Sequence, residues 1–162
     1  KSIFLITISQ YNLPIMKDLL YLKDEQIKDF IQLLFYAHRE TFSDPKKLLS
    51  ENSFGPAHLR VLNLIERNPG INLGELMFLL KVTKQSLNRV LRDLIESKMI
   101  KQIKDKEDTR RKNLFLDKEG QVFFNKIYET QKKRIFNALK NSEPDSVVKF
   151  KEVLNKIING KN

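Results

Sequence analysis

The chain has no cysteine and no tryptophan, two histidines, and five glycines in 162 residues. Each shortage removes a class of function. Without cysteine there is no disulfide, thiolate nucleophile, cysteine-ligated zinc or thiol redox sensor. His38 and His58 would need carboxylate help to hold a metal, and neither sits in an HxxE or HExxH spacing. No GxSxG elbow and no glycine-rich phosphate loop occurs, and no nucleophile clusters with a base. The sequence therefore argues against an enzyme and against a bound cofactor. No apolar run reaches membrane-spanning length. The opening KSIFLITISQ has one Lys before a short apolar run, too short for a signal peptide and without a small-residue cleavage site. Its lack of an initiating Met is read as trimming. The expectation is a cytoplasmic protein whose first residues pack against something.

What is present is positive charge. Thirty Lys and Arg face twenty Asp and Glu, a net charge of +10, on a chain that is 41% hydrophobic. That composition suits one folded domain with helical extensions. The excess favours a polyanionic partner, nucleic acid first, with anionic membranes or acidic proteins behind it.

Apolar spacing predicts helix over much of residues 14–41, with Asp24 as a candidate cap for a second helix inside it. Residues 43–56 are rich in turn formers and read as a loop. Pro56 then opens a helix that stops at Asn68-Pro69-Gly70. Asn72 and Glu75 form a capping-box-like start for a short helix ending near Leu80. Thr83, an N-cap type, follows closely and begins a second helix over residues 84–97, so the pair reads as a helix-turn-helix. Residues 100–103 and 114–116 read as the strands of a hairpin. Two amphipathic helices complete the chain, over residues 118–141, with Asp117 as N-cap, and 142–160.

The helix over residues 84–97 carries Leu87, Val90, Leu91, Leu94 and Ile95 on one stripe, which faces a core. Its other face carries Lys84, Gln85, Asn88, Arg89 and Arg92. Such a face is compatible with simple solvation. The residue types also suit base reading, since Gln and Asn pair with adenine and Arg with guanine in the major groove. Arg92, further along, is better placed for phosphate. Residues 81–112 hold eleven basic residues against five acids, a local +6 in about a fifth of the chain. Concentration on this helix and the following hairpin favours a DNA footprint over a uniformly basic surface.

Helix, turn, helix and charged hairpin give the winged helix-turn-helix order. VTKQSLNRVLRDLIESKMI followed by DKEDTRRKNLFLDKEG resembles bacterial MarR-type transcriptional regulators. The second stretch is similar to that family's wing signature, with Asp108, Arg110, a strand at 114–116 and Gly120. The motif resemblance covers residues 54–120, and helix order and length extend it to the rest. It implies a mainly α fold with a small β-hairpin, divided into N-terminal dimerisation helices and linker (1–54), a DNA-binding domain (55–117) and C-terminal dimerisation helices (118–162).

The resemblance also implies a homodimeric repressor on a pseudo-palindromic operator. Recognition-helix contacts would come from Thr83, Lys84, Gln85, Ser86, Asn88, Arg89 and Arg92, with Thr83 capping the helix and donating to a phosphate. The wing would use Lys106, Asp108, Arg110, Arg111 and Lys112. Arg110 would enter the minor groove, and Asp108 would brace it or the hairpin turn rather than touch DNA. At a hairpin tip the acids of this run read as turn and bracing residues, and Arg111 and Lys112 would meet phosphate or solvent. Family members often bind small anionic aromatics between the two parts, which makes such an effector an expected partner beside duplex DNA. Lys98 departs from the family's usual Gly. A left-handed residue there would cost Lys about 1 kcal/mol, so a different helix end is expected. Residues 1–13 have no clear counterpart. The competing reading is a winged-helix module for protein interaction or non-specific architectural DNA binding.

His58 is read as packed or capping, and His38 as surface or interface. Phe30, Phe35, Phe54, Phe78, Phe123, Phe124 and Phe136 are read as core and dimer seam. Residues 131–134 (QKKR) are read as a solvated face.

Overall fold

The computed structural model describes residues 21, 23–108 and 110–160. Two compact units divide the chain, residues 1–41 and 42–162. The expectations for the first twenty residues fall outside the described ones. The first unit is dominated by α1 (Asp24–Ser43), which buries no residue and exposes Ile27, Phe30, Ile31 and Phe35. Asp24 opens α1 as its first helical residue, with Glu25 behind it. Its carboxylate therefore acts on the positive helix end.

The second unit holds the core. After α2 (Lys46–Glu51) come α3 (Pro56–Arg67), β1 (Ile71–Asn72), α4 (Leu73–Leu80), α5 (Lys84–Glu96), β2 (Ile100–Lys104), β3 (Lys112–Leu116), α6 (Lys118–Lys140) and α7 (Pro144–Asn159). Pro56 occupies the first turn of α3, as its missing N–H predicts. The Gly55 N–H donates to His58 Nδ1 at 3.1 Å, so the histidine completes the cap. The same ring stacks on Phe54, centroids 5.0 Å apart. Leu59, Leu62 and Ile65 of α3 are almost fully buried and meet Leu76 of α4, Leu87 and Leu94 of α5, Leu114 of β3 and Ile127 of α6 in one cluster. Each such leucine stabilises the unit by about 2–5 kcal/mol relative to alanine.

The sheet is antiparallel in the order β1-β3-β2. Ile100 pairs with Leu116 and Ile71 with Leu114, which places Leu114 and Ile100 on the buried face. The hairpin read from the sequence is therefore the outer part of a three-stranded sheet. β1 escapes sequence reading because two residues carry no periodicity. Gly70, at φ +92°, makes the turn into it, and its N–H donates to the Leu114 carbonyl at 2.8 Å.

Residues 43–56 are a second correction. They contain α2 rather than loop alone, because Lys46 to Glu51 lack glycine and proline and Leu49 finds a buried seat. Lys98 is a third. It adopts φ +55° after all. The Met99 N–H reaches the Leu94 carbonyl at 2.8 Å and the Lys98 N–H reaches Ile95 at 3.0 Å. This closure is of the Schellman type, and its bonds outweigh the left-handed penalty on a lysine.

The C-terminal helices begin and end as predicted. Asp117 caps α6 by accepting the Lys118 N–H at 2.9 Å, and that bond, with Lys101 nearby, holds its carboxyl below the usual range. Arg134 is not on a merely solvated face. Its guanidinium makes two 2.7 Å bonds to Asp44, ahead of α2, and they lower the Asp44 pKa. α7 buries nothing and exposes Val148, Phe150, Val153, Ile157 and Ile158.

Candidate nucleic-acid interface

The recognition face is built from the turn between α4 and α5. Asn72 caps α4 reciprocally with Glu75, through bonds of 3.1 and 2.9 Å. Lys81 ends α4 in the left-handed region, and Val82 packs on the core. Thr83 then caps α5, accepting the Ser86 N–H at 3.3 Å and donating to Ser86 Oγ at 3.0 Å. The hydroxyl proton expected to meet a phosphate is therefore held by Ser86.

Along α5, Leu87, Leu91 and Leu94 are buried, whereas Lys84, Gln85, Ser86, Asn88, Arg89 and Arg92 are exposed. Ile95, placed on the buried stripe by its spacing, lies at the rim with 37% exposure. The buried leucines set the roll of α5, and the His58 ring tethers it. Because Nδ1 accepts the Gly55 N–H, Nε2 bears the proton and donates to Asp93 at 3.1 Å. The predicted capping role of His58 is seen, together with this tether to the recognition helix.

At the wing the acids are the organisers. Asp105 Oδ1 accepts the N–H groups of Glu107 (2.9 Å) and Asp108 (3.1 Å), and its Oδ2 accepts Asn113 Nδ2 at 2.9 Å. The backbone closes between Asp105 and Arg111, and between Arg111 and Asp108, at 3.0 and 2.8 Å. These hydrogen bonds, that of Asn113 foremost, pull the Asp105 pKa below the ordinary value. Asp108 braces Arg110 as the resemblance implied, accepting both its backbone N–H (3.1 Å) and its Nε (3.2 Å), and lies 3.6 Å from Arg111 Nε. Arg110 stays 91% exposed.

The sequence reads the acids of this run together as turn and bracing residues without singling out Asp105, although an Asp two and three residues ahead of unsatisfied turn N–H groups is the Asx signal. Asp105→Ala is expected to loosen the turn. Amide exchange at Glu107 and Asp108 should accelerate, and DNA affinity should fall several-fold while the core melting transition holds. Because the folded pKa is depressed, this ordering is complete above the unfolded value near 3.9 and is lost as pH falls through the lower folded value. Amide exchange at 107 and 108 that is unchanged in the variant would remove Asp105 from this role.

Two clefts show which residues the fold brings together. One, of about 540 Å³, lies between the start of α4, α5 and the wing, where Asn72 and Glu75 line it together with Asn88, Gln102, Arg110, Arg111 and Lys112. The other joins Asn88, Arg92 and Gln102. Lys84, Gln85, Ser86, Arg89 and Lys106 line neither and stand on the open face. Gln102 belongs to no motif, and only strand register reveals that it shares a face with Leu114. The register also sets Lys104 directly opposite Lys112. Like charges facing across a ladder destabilise a hairpin in water. A polyanion between them offsets that repulsion.

Phe78 lies outside the core, since it is 81% exposed on α4, two residues on from buried Leu76 and so on the opposite side of the helix. Among the described residues, no helix is long and apolar enough to cross a membrane.

Comparison with known proteins agrees with this geometry. The model of the MarR family matches residues 53–111. The chain is 38% identical over 136 residues to the HTH-type transcriptional regulator PetP of Rhodobacter capsulatus, covering 84% of this chain and 82% of that one. In fold it is similar to a MarR-family transcriptional regulator from Silicibacter pomeroyi, with a TM-score of 0.69 at 17% identity over 83% of this chain and 89% of that one. It is likewise similar to NadR in complex with 4-hydroxyphenylacetate, with a TM-score of 0.68 at 19% identity over 79% and 91%.

Proposed function

This chain belongs to the MarR family of transcriptional regulators, and we propose that it is a homodimeric repressor that reads a pseudo-palindromic operator. The observation that carries the reading is the cleft in which Asn88 of α5 meets Arg110, Arg111 and Lys112 of the wing. Gln85, Asn88 and Arg89 would discriminate bases in the major groove, while Arg110 enters the neighbouring minor groove. Lys84, Arg92, Lys106, Arg111 and Lys112 supply salt-dependent attraction to phosphate.

Dimerisation is supported by apolar surface left uncovered. α1 exposes Phe30 and Phe35, α6 exposes Val122, Ile135 and Phe136, and α7 exposes Phe150, Ile157 and Ile158. So much exposed apolar surface marks a partner face. These helices lie in the segments 1–54 and 118–162, which we assign to dimerisation, with 55–117 as the DNA-binding domain.

A small anionic aromatic is the proposed effector class. In the second unit, a cleft of about 510 Å³ is lined by Leu48, Met99, Val122 and Phe123 together with Lys118, Lys126, Glu51 and Glu119. Its apolar wall suits an aromatic ring, and either lysine could pair with a carboxylate.

The test is selection of bound duplexes from a random pool, followed by anisotropy at fixed salt on selected and scrambled sequences. Two half-sites about one helical turn apart (~34–36 Å) and strong preference for the selected duplex are expected. A ratio near one would sink the sequence-specific reading and leave the architectural one.

A further inference from the structure

Among the described residues, three other than glycine take positive φ: Ser53, Lys81 and Lys98. The two lysines end the two helices of the helix-turn-helix. Glycine would adopt either conformation without the steric penalty a side chain meets, and no carboxylate of the described residues pairs with either ammonium. Both side chains are exposed. A cation near a helix C-terminus interacts favourably with the helix dipole, and that applies equally to both. The two sites differ otherwise. At Lys98 the backbone is held by the two-bond closure to Leu94 and Ile95, whereas the Lys81 N–H makes no such capping bond. Lys81 stands two residues before Thr83, beside the first turn of α5. Lys98 follows the other end of this 13-residue helix, about 20 Å away.

We propose that Lys81 is a phosphate anchor, a basic residue kept in a strained turn because its charge stands beside the DNA-facing end of α5. Lys98 is its internal control, a lysine of like backbone geometry at the wrong end of the helix. Strain retained at a position where glycine is available, without a local bond to hold it, points to a use for the side chain. The neighbours agree, since Lys84 and Gln85 lie on the same exposed first turn. The assignment rests on the DNA-binding reading above.

Full-length protein carrying Lys81→Gly, Lys81→Arg or Lys98→Gly decides it, titrated with a fluorescent mixed-sequence duplex over a range of potassium chloride. A mixed sequence suffices because phosphate contacts do not depend on bases. Both glycine variants should melt about 2–4 °C higher as strain is relieved. Lys81→Gly alone should weaken binding several-fold and flatten the plot of log affinity against log salt by about 0.9 per lysine lost. Lys81→Arg should retain both affinity and slope, and Lys98→Gly should match the unsubstituted chain. Unchanged affinity and slope in Lys81→Gly overturns the assignment, as does an equal loss in both glycine variants, which would reflect net charge alone. If the unsubstituted protein shows no salt-dependent binding, the DNA-binding reading falls and the anchor with it.

Discussion

Gly120→Ala is expected to destabilise the second unit by about 3 kcal/mol, the upper end of the usual range for forced overpacking against a rigid neighbour. A Cβ at position 120 would overlap the Met99 carbonyl oxygen and stand 2.7 Å from its carbon. The obstacle is backbone, and that same oxygen accepts the Asp117 N–H at 3.0 Å. Met99 is further fixed by its N–H bond to Leu94. Relief would have to open the end of α5 or the start of α6. Gly55 provides the contrast, because a Cβ there meets nothing within 4 Å. Gly55→Ala should change stability by only about 0.5–2 kcal/mol, the N-cap range. Urea unfolding midpoints of the two variants compare them directly, and a Gly120→Ala midpoint equal to that of the unsubstituted chain would mean that the Met99 segment yields.

Arg110→Ala should do the reverse, leaving stability intact while damaging binding. Its side chain is 91% exposed and, among the described residues, pairs only with Asp108, so its removal should shift unfolding by no more than about 0.5 kcal/mol. In the proposed homodimer, which would bring one wing from each protomer, loss of both guanidinium groups should weaken a selected duplex by about 2 kcal/mol or more, roughly thirtyfold. Arg110→Lys should recover only part of this, because an ammonium lacks the planar fork that Asp108 braces. Anisotropy on the selected duplex reads the effect, and unchanged affinity would take the wing out of the mechanism.

The fold was legible where local chemistry decides it. Pro56, Asn72 with Glu75, Thr83 and Asp117 mark four helix starts through caps that need no distant partner. The apolar stripe of α5 and the basic stripe opposite were legible for the same reason, since 3.6-residue spacing separates them. What stayed hidden depends on partners far along the chain. β1 exists because Ile71 meets Leu114, and α2 because Leu49 finds the core. The left-handed Lys98 contradicts its local preference because two backbone bonds hold it there. At the site, residue types picked out Asn88 and the three basic wing residues that share a cleft, but not Gln102, whose place is set by strand register. Asp105 was legible only as one of the run's turn and bracing acids, because which amides each acid ties down is settled by the folded turn.

Asn72 does two things at once. It is the last residue of β1, paired with Asn113 of the wing strand, and the cap of α4. The wing strand and the first helix of the helix-turn-helix are thus joined at one residue, whose backbone belongs to the sheet and whose side chain caps α4. In the proposed DNA complex this joint would hold the start of the helix-turn-helix at a set distance from the wing strand, so a duplex with a different groove separation would have to bend to meet both.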